Sequence, residues 1–174
     1  MKEIRDQKFA NEDAMYQLLN LIFYAMVGVP LVIFLYLYLE IKDGKFIADS
    51  PDEDLHQVLV ILVPIFTLIN VALSFFLYRK YVKSTDSALP LREKLQIFYK
   101  ASVIKYSFLE AATISILIGL FLTAEQIYIV LYLVLLLLFS LSRPTPYKFR
   151  KDMKIKTYPP SGTIDPKESK RSSI

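Results

Sequence analysis

The sequence predicts an all-α integral membrane protein with four transmembrane helices arranged as two antiparallel hairpins and both termini in the cytoplasm. Hydrophobic residues make up 54% of the 174-residue chain, whereas a soluble domain has roughly 45 to 50% even with glycine counted. They collect in long uncharged runs, and two of these, 14–39 and 55–78, exceed the roughly 20 residues that cross a bilayer core. These runs exclude a soluble single domain. The basic residues collect in the loops on one side, which gives the orientation.

The first two spans follow from these runs. We predict the first span over residues 16–40 and the second over residues 56–78, with the charged stretch 40–54 between them. Each contains a proline, Pro30 and Pro64, which removes a backbone hydrogen bond and can kink a helix. Because membrane helices tolerate such prolines well, we assign both a structural role.

The third and fourth spans are shorter and closely linked. Helical sequence already begins over residues 91–100, and the membrane-spanning part is predicted over residues 102–123. The fourth span is predicted over residues 126–142, an uncharged run that is about 25 Å long as a helix. Only a few residues around Glu125 separate the two spans, so they are expected to form an antiparallel helical hairpin.

The orientation follows from the distribution of Lys and Arg, which remain in the cytoplasm during insertion. Of the 21 basic residues, 19 lie in the N-terminal tail 1–15, in or next to the second connection, or in the C-terminal tail. The opposite side has only Lys42 and Lys45, in a loop that also carries six acidic residues. We therefore expect both termini in the cytoplasm, and we assign the protein to a bacterial inner membrane.

The C-terminal region divides into a basic juxtamembrane segment, 143–158, and a tail, 159–174, whose composition predicts disorder. Apolar and basic residues alternate over 147–156, which favours a strip lying on anionic lipid headgroups. The same period of two also fits a strand that adds to the sheet of a partner. The expected headgroup contacts are Lys148, Arg150, Lys151, Lys154 and Lys156.

Three spans carry a polar side chain at a similar depth. Glu110, Asn70 and Asn20 each lie about 10 to 14 Å from the cytoplasmic interface, counted at 1.5 Å per residue. They are predicted to form an intramembrane polar cluster. It is either a structural hydrogen-bonded group that fixes helix register or an ion or proton site, because carboxylates within spans face protein or water. Lys105 lies on another helix face and is expected to extend towards the headgroups.

Small residues recur every four positions along the third span. Such a stripe allows the backbone of another helix to approach closely. The partner helix belongs either to the same chain or to another subunit, and the sequence favours the same chain. The stripe consists of Ser107, Ala111, Ser115, Gly119 and Thr123.

Several kinds of chemistry are excluded by composition. The chain has no cysteine and one histidine, His56, so disulfides, cysteine zinc sites, thiol redox centres and haem held by two histidines are ruled out. The acidic loop before His56 does not have the spacing of a metal-binding loop. The net charge of +4 is explained by membrane orientation and does not indicate nucleic-acid binding. We predict no metal, no cofactor and no enzymatic activity.

The expected function is that of a non-catalytic membrane subunit or accessory protein of a larger membrane complex. It would pack through its transmembrane helices and its basic cytoplasmic segments. The expected partners are a bilayer with anionic headgroups and a protein, either a different chain or a second copy. The alternative is a small oligomeric transporter or channel component coupled through Glu110.

Overall fold

The computed structural model describes residues 12–44, 52–86 and 89–155, and all regular secondary structure in these ranges is α-helical. The five described helices are α1 (Glu12–Lys42), α2 (Glu53–Lys83), α3 (Leu91–Thr123), α4 (Gln126–Leu141) and α5 (Pro146–Asp152). In these ranges the predicted all-α class is confirmed. Most of the N-terminal tail and the whole of the tail 159–174 lie outside the described residues.

Three of the described helices, α1, α2 and α3, are each long and apolar enough to cross a membrane. Helix α4 passes the same test only together with α5, from which it is bent by 75°. The described part of the chain therefore has three helices that could each cross a membrane, or four candidate spans if α4 and α5 are counted as one, which indicates a membrane protein. Helices α1 and α2 continue through Pro30 and Pro64.

Helix α3 lies at the centre of the fold. It packs against α1, α2 and α4, and its contact with α2 is the most extensive. In its most apolar 18 residues, 44% of the positions are buried, compared with 22% in α1 and in α2. The outer faces of α1 and α2 are consequently left to lipid or to other proteins.

Aromatic contacts set the directions of α1 and α4. Phe23 of α1 packs edge-on against Tyr106 of α3, with ring centroids 5.7 Å apart. Further along α1, Phe34 stacks on Tyr132 of α4 at 4.0 Å. The hydroxyl of Tyr106 also donates to the carbonyl oxygen of Ser142, just after α4, at 3.2 Å. Helix α4 therefore returns along α3 after the short link between them.

That link reverses the chain in two residues. Ala124 adopts a left-handed conformation, with φ 52°, and its N–H donates to the carbonyl oxygen of Leu120 at 2.9 Å. A left-handed residue after the last helical position is a common way to end a helix. The N–H of Glu125 then donates to the hydroxyl of Thr123 at 3.4 Å, and α4 begins.

The two ends of the bundle differ in charge. At the end that we call the acidic end, Nε2 of His56 lies 3.2 Å from Oε1 of Glu125, which joins the start of α2 to the link between α3 and α4. The opposite end, called the basic end, contains the end of α2, the start of α3 and helix α5. Its exposed residues include Arg79, Lys80 and Arg150.

Helix α5 shows that the alternative of an extended strand is wrong over Pro146–Asp152, whereas the expected contact of the basic residues with anionic lipid stays a prediction. Thr145 caps the helix by accepting a hydrogen bond from the N–H of Lys148 at 3.3 Å, and Pro146 stands in the first turn, where proline is favoured. Phe149 and Met153, four residues apart, share one helical face and are both buried. Docking of this face selects the helix over the extended form.

The docked face of α5 closes the basic end of the bundle. The ring of Phe149 packs edge-on against Phe98 of α3 at 5.1 Å and against Tyr16 of α1 at 6.1 Å. Phe149 is fully buried. Helix α5 is therefore anchored in the folded core through Phe149.

Candidate functional site

The most unusual buried residue at the basic end is Lys105 of α3. Only 3% of its surface is exposed, although lysine is almost never buried without a partner. Its Nζ lies 4.5 Å from the ring centroid of Phe75 and 5.2 Å from that of Tyr78, both on α2. Contrary to the expectation that it reaches the headgroups, Lys105 is covered by α2.

Lys105 lies at one side of a groove of about 440 Å³ between α2 and α5, which we call the basic groove. Four basic side chains and one acidic side chain line it, together with apolar and aromatic groups. Its lining residues are Phe75, Tyr78, Arg79, Val82, Lys83, Lys105, Lys148 and Asp152.

Electrostatics in the basic groove are unbalanced. The charged neighbours of Lys105 are the ammonium group of Lys148 and the carboxylate of Asp152. Asp152 accepts a hydrogen bond from the Tyr78 hydroxyl at 2.5 Å, and Nζ of Lys148 lies 5.6 Å from the Tyr78 ring centroid. Within the described ranges none of the groove lysines forms an ion pair. Such a group of ammonium ions is suited to hold an anion.

One signal for this site is present in the sequence at the start of α5. Thr145 and Pro146 are a typical helix start, and the spacing of Phe149 and Met153 is that of one helical face. Together they predict an amphipathic helix that places Lys148 beside the bundle. The contact of Lys148 with Lys105 itself depends on three helices meeting, which no local pattern encodes.

The predicted polar cluster is arranged differently from the expectation. Glu110 is half-buried, and its Oε2 has no hydrogen-bond partner in the described part of the chain. Asn70 is buried, but its amide donates to the carbonyl oxygen of Phe66 in its own helix at 2.8 Å. Oδ1 of Asn20 is buried and likewise has no partner among the described residues. No direct hydrogen bond therefore joins Glu110 to either asparagine in these ranges.

The small-residue stripe of α3 divides into two parts. Towards the acidic end, Gly119 is buried, and a Cβ atom placed there would lie 2.7 Å from the ring of Tyr128 on α4. Thr123, one turn further, is half-buried, and its hydroxyl donates to the carbonyl oxygen of Gly119. This part of the stripe is in close contact with a helix of the same chain.

Towards the basic end the stripe faces outward. Ser107 is exposed, while Ala111 and Ser115 are half-buried. The hydroxyls of both serines donate to carbonyl oxygens one turn back in α3, so their donors are already satisfied within the helix. Ile114 and Ile118 continue the exposed surface at 47% and 51%. We call Ser107, Glu110, Ala111, Ile114 and Ile118 the outward face of α3.

The residues predicted to contact lipid headgroups are also divided by the fold. Lys148 is half-buried in the basic groove, whereas Arg150, Lys151 and Lys154 are exposed on or just after α5. Lys156 lies outside the described residues. In the described ranges no three His, Asp or Glu side chains come together in a way that could hold a metal ion.

Comparisons of the chain with protein-family models, curated proteins and solved structures gave no match.

The contact between Gly119 and Tyr128 predicts an asymmetric response to leucine substitution along the stripe. Gly119→Leu should lower the free energy of unfolding by about 1 to 3 kcal/mol, because the buried Tyr128 ring has to move. Ser107→Leu, at an exposed position of the same stripe, should change it by less than about 0.5 kcal/mol. Unfolding in detergent measures both values, and equal losses would contradict the described packing.

Proposed function

We propose that this chain is a non-catalytic integral membrane subunit or accessory protein of a larger membrane complex. In this proposal α1 to α4 each cross a bacterial inner membrane, forming two antiparallel hairpins with both termini in the cytoplasm. The placement of 19 of the 21 basic residues on one side of the predicted spans supports this orientation. With its 16 residues, α4 is about 24 Å long, at the short end of what can cross.

The observation that carries the proposal is the outward face of α3. It combines small side chains, which allow close helix approach, with the half-buried side chain of Glu110, whose Oε2 atom is itself buried within the chain and has no hydrogen-bond partner among the described residues. In the hydrocarbon core a polar group without a hydrogen-bond partner costs several kcal/mol. A transmembrane helix of another subunit, packed on Ser107 and Ala111, would cover this surface and separate the exposed part of the Glu110 side chain from lipid.

A second surface supports attachment on the cytoplasmic side. Arg150, Lys151 and Lys154 are exposed at the basic end, on or just after helix α5, whose other face is held in the core by Phe149. They form a positively charged surface of fixed orientation. Anionic headgroups or the acidic surface of a cytoplasmic subunit would complement it.

The proposal is tested by photo-crosslinking in native membranes. A photoreactive residue at Ile114, on the outward face, should give a protein adduct of one defined mass. The same residue at Val32, which is 67% exposed on α1, should give only lipid adducts. Adding Ser107→Leu should reduce the Ile114 adduct about tenfold, because a clash of about 1.4 kcal/mol is enough for that change.

The adduct mass also separates the two kinds of partner. A mass of twice the chain indicates a second copy, and any other single mass indicates a different subunit. Lipid adducts alone at Ile114, or identical adducts at Ile114 and Val32, would contradict the proposal.

A second candidate, a small oligomeric transporter or channel component, is favoured by Glu110 alone, because a half-buried carboxyl group within a span is a typical ion-coupling group. Two substitutions separate the candidates. For a subunit, Glu110→Gln should keep the Ile114 adduct, since the amide still forms hydrogen bonds, and Glu110→Leu should weaken it about tenfold. Proteoliposomes should show no ion flux that depends on Glu110. A flux abolished by Glu110→Gln in a stably folded protein would instead establish the transporter.

A further inference from the structure

We propose that the basic groove is a binding site for a phosphate group, presented by a phospholipid headgroup or by a soluble phosphate ester, with Lys105 and Lys148 as its two principal ligands. The proposal requires the chain to be inserted in a bilayer, as the proposed function does. It does not depend on any protein partner.

The buried ammonium group of Lys105 lacks oxygen partners for its N–H donors among the described residues. An ammonium group has three N–H donors and no acceptor. The described residues provide no oxygen that accepts a hydrogen bond from its Nζ, which faces the rings of Phe75 and Tyr78. Ring faces attract a cation but leave its N–H donors without an oxygen partner. An anionic oxygen in the groove would complete the environment of this buried group.

The basic groove carries an excess of positive charge. Lys105 and Lys148 are neighbours, and like charges held close together at a partly buried site repel one another. The acidic group of the groove, Asp152, is already bound to the hydroxyl of Tyr78. Arg79 and Lys83 add two further positive charges at the exposed rim. A phosphate oxygen between the two ammonium groups would convert their repulsion into two charge-assisted hydrogen bonds.

The size and the position of the basic groove both fit a phosphate-bearing ligand. The volume of about 440 Å³ lies within the usual range for small-ligand sites. The groove is located where α2 passes from its uncharged run to Arg79, the depth at which headgroups lie. Phe75 and Val82 give it an apolar wall beside the basic one. A phospholipid would use both walls, whereas a soluble phosphate ester would use only the basic one.

The test uses the full chain, purified in detergent, with native mass spectrometry to count bound lipid. Phosphatidylglycerol should bind in preference to phosphatidylcholine, whose choline group opposes the basic lining. Lys105→Met and Lys148→Gln should each weaken phosphatidylglycerol binding about tenfold, since each removes a charge-assisted hydrogen bond. The matched controls Lys80→Gln and Lys100→Gln remove the same charge from exposed positions outside the groove and should bind as the unsubstituted chain does.

A competing soluble ligand distinguishes the two sources of phosphate. If glycerol 3-phosphate displaces the lipid and binds with the same dependence on Lys148, the site accepts soluble phosphate esters. If it does not displace the lipid, the site is specific for the headgroup in its membrane setting. Both results support the phosphate site.

The proposal is overturned if all four variants bind phosphatidylglycerol equally, or if the controls lose as much binding as the groove variants. Lys148 is half-buried, so Lys148→Gln remains informative even where Lys105→Met unfolds the protein. The Ile114 adduct, measured on the same variants, separates this proposal from the proposed function. If a variant loses phosphate binding but still forms the Ile114 adduct, the result bears on the basic groove only. If the adduct is absent while phosphate binding is intact, the result bears on the proposed protein partner only.

Discussion

The packing of α3 against three other helices is the constraint on which the rest of the structure depends. Its spanning part is the one that contains charged side chains, Lys105 and Glu110, and in a bilayer such a helix is stable only where other groups cover them. The neighbouring α1 and α2 have long uncharged runs that can face lipid. The charge content of the spans therefore decides which helix lies at the centre and which helices surround it.

The surroundings of α3 differ between the two charged residues of its spanning part, Lys105 and Glu110. At the basic end, α2 and α5 close over Lys105, and the docking of α5 depends on Phe149 filling a space between Phe98 and Tyr16. Further along α3, Glu110 receives less cover and stays half-buried. The fold therefore covers the ammonium group of Lys105 with side chains of the basic groove, whereas Glu110 is only half-buried on the outward face of α3. Both proposals arise from this difference.

The helices were predictable from the sequence because their extent depends on local properties. The uncharged runs, the charges at their ends and the closeness of residues 123 and 126 are enough to predict α1 to α4 within a few residues. Helix α5 was missed because the alternation of apolar and basic residues favoured a strip on the lipid surface or an extended strand. Its cap at Thr145 and the four-residue spacing of Phe149 and Met153 were the more informative signals.

Side-chain contacts were predicted less well, because they depend on where helices cross. Asn70 has an acceptor in its own helix, the carbonyl oxygen of Phe66, which competes with any contact across the bundle. Gly119 and Ser107 belong to one stripe in sequence, yet only Gly119 meets α4, since the short link at Ala124 holds the two helices close at that end. Lys105 was expected to extend outwards because the position of α2 over it is a property of the assembled fold.

The most direct test of this account is the accessibility of α5 in a membrane. The sequence has no native cysteine, so Met153→Cys and Lys154→Cys each introduce a single thiol, one at a position that is 1% exposed and one at an exposed neighbour. In inside-out vesicles, which expose the basic end in the proposed orientation, a membrane-impermeant thiol reagent should label Lys154→Cys rapidly. It should label Met153→Cys at least about a hundredfold more slowly, because reaction there requires α5 to undock at a cost of about 3 kcal/mol or more. Equal labelling rates at the two positions would show that α5 does not close the basic end over Lys105.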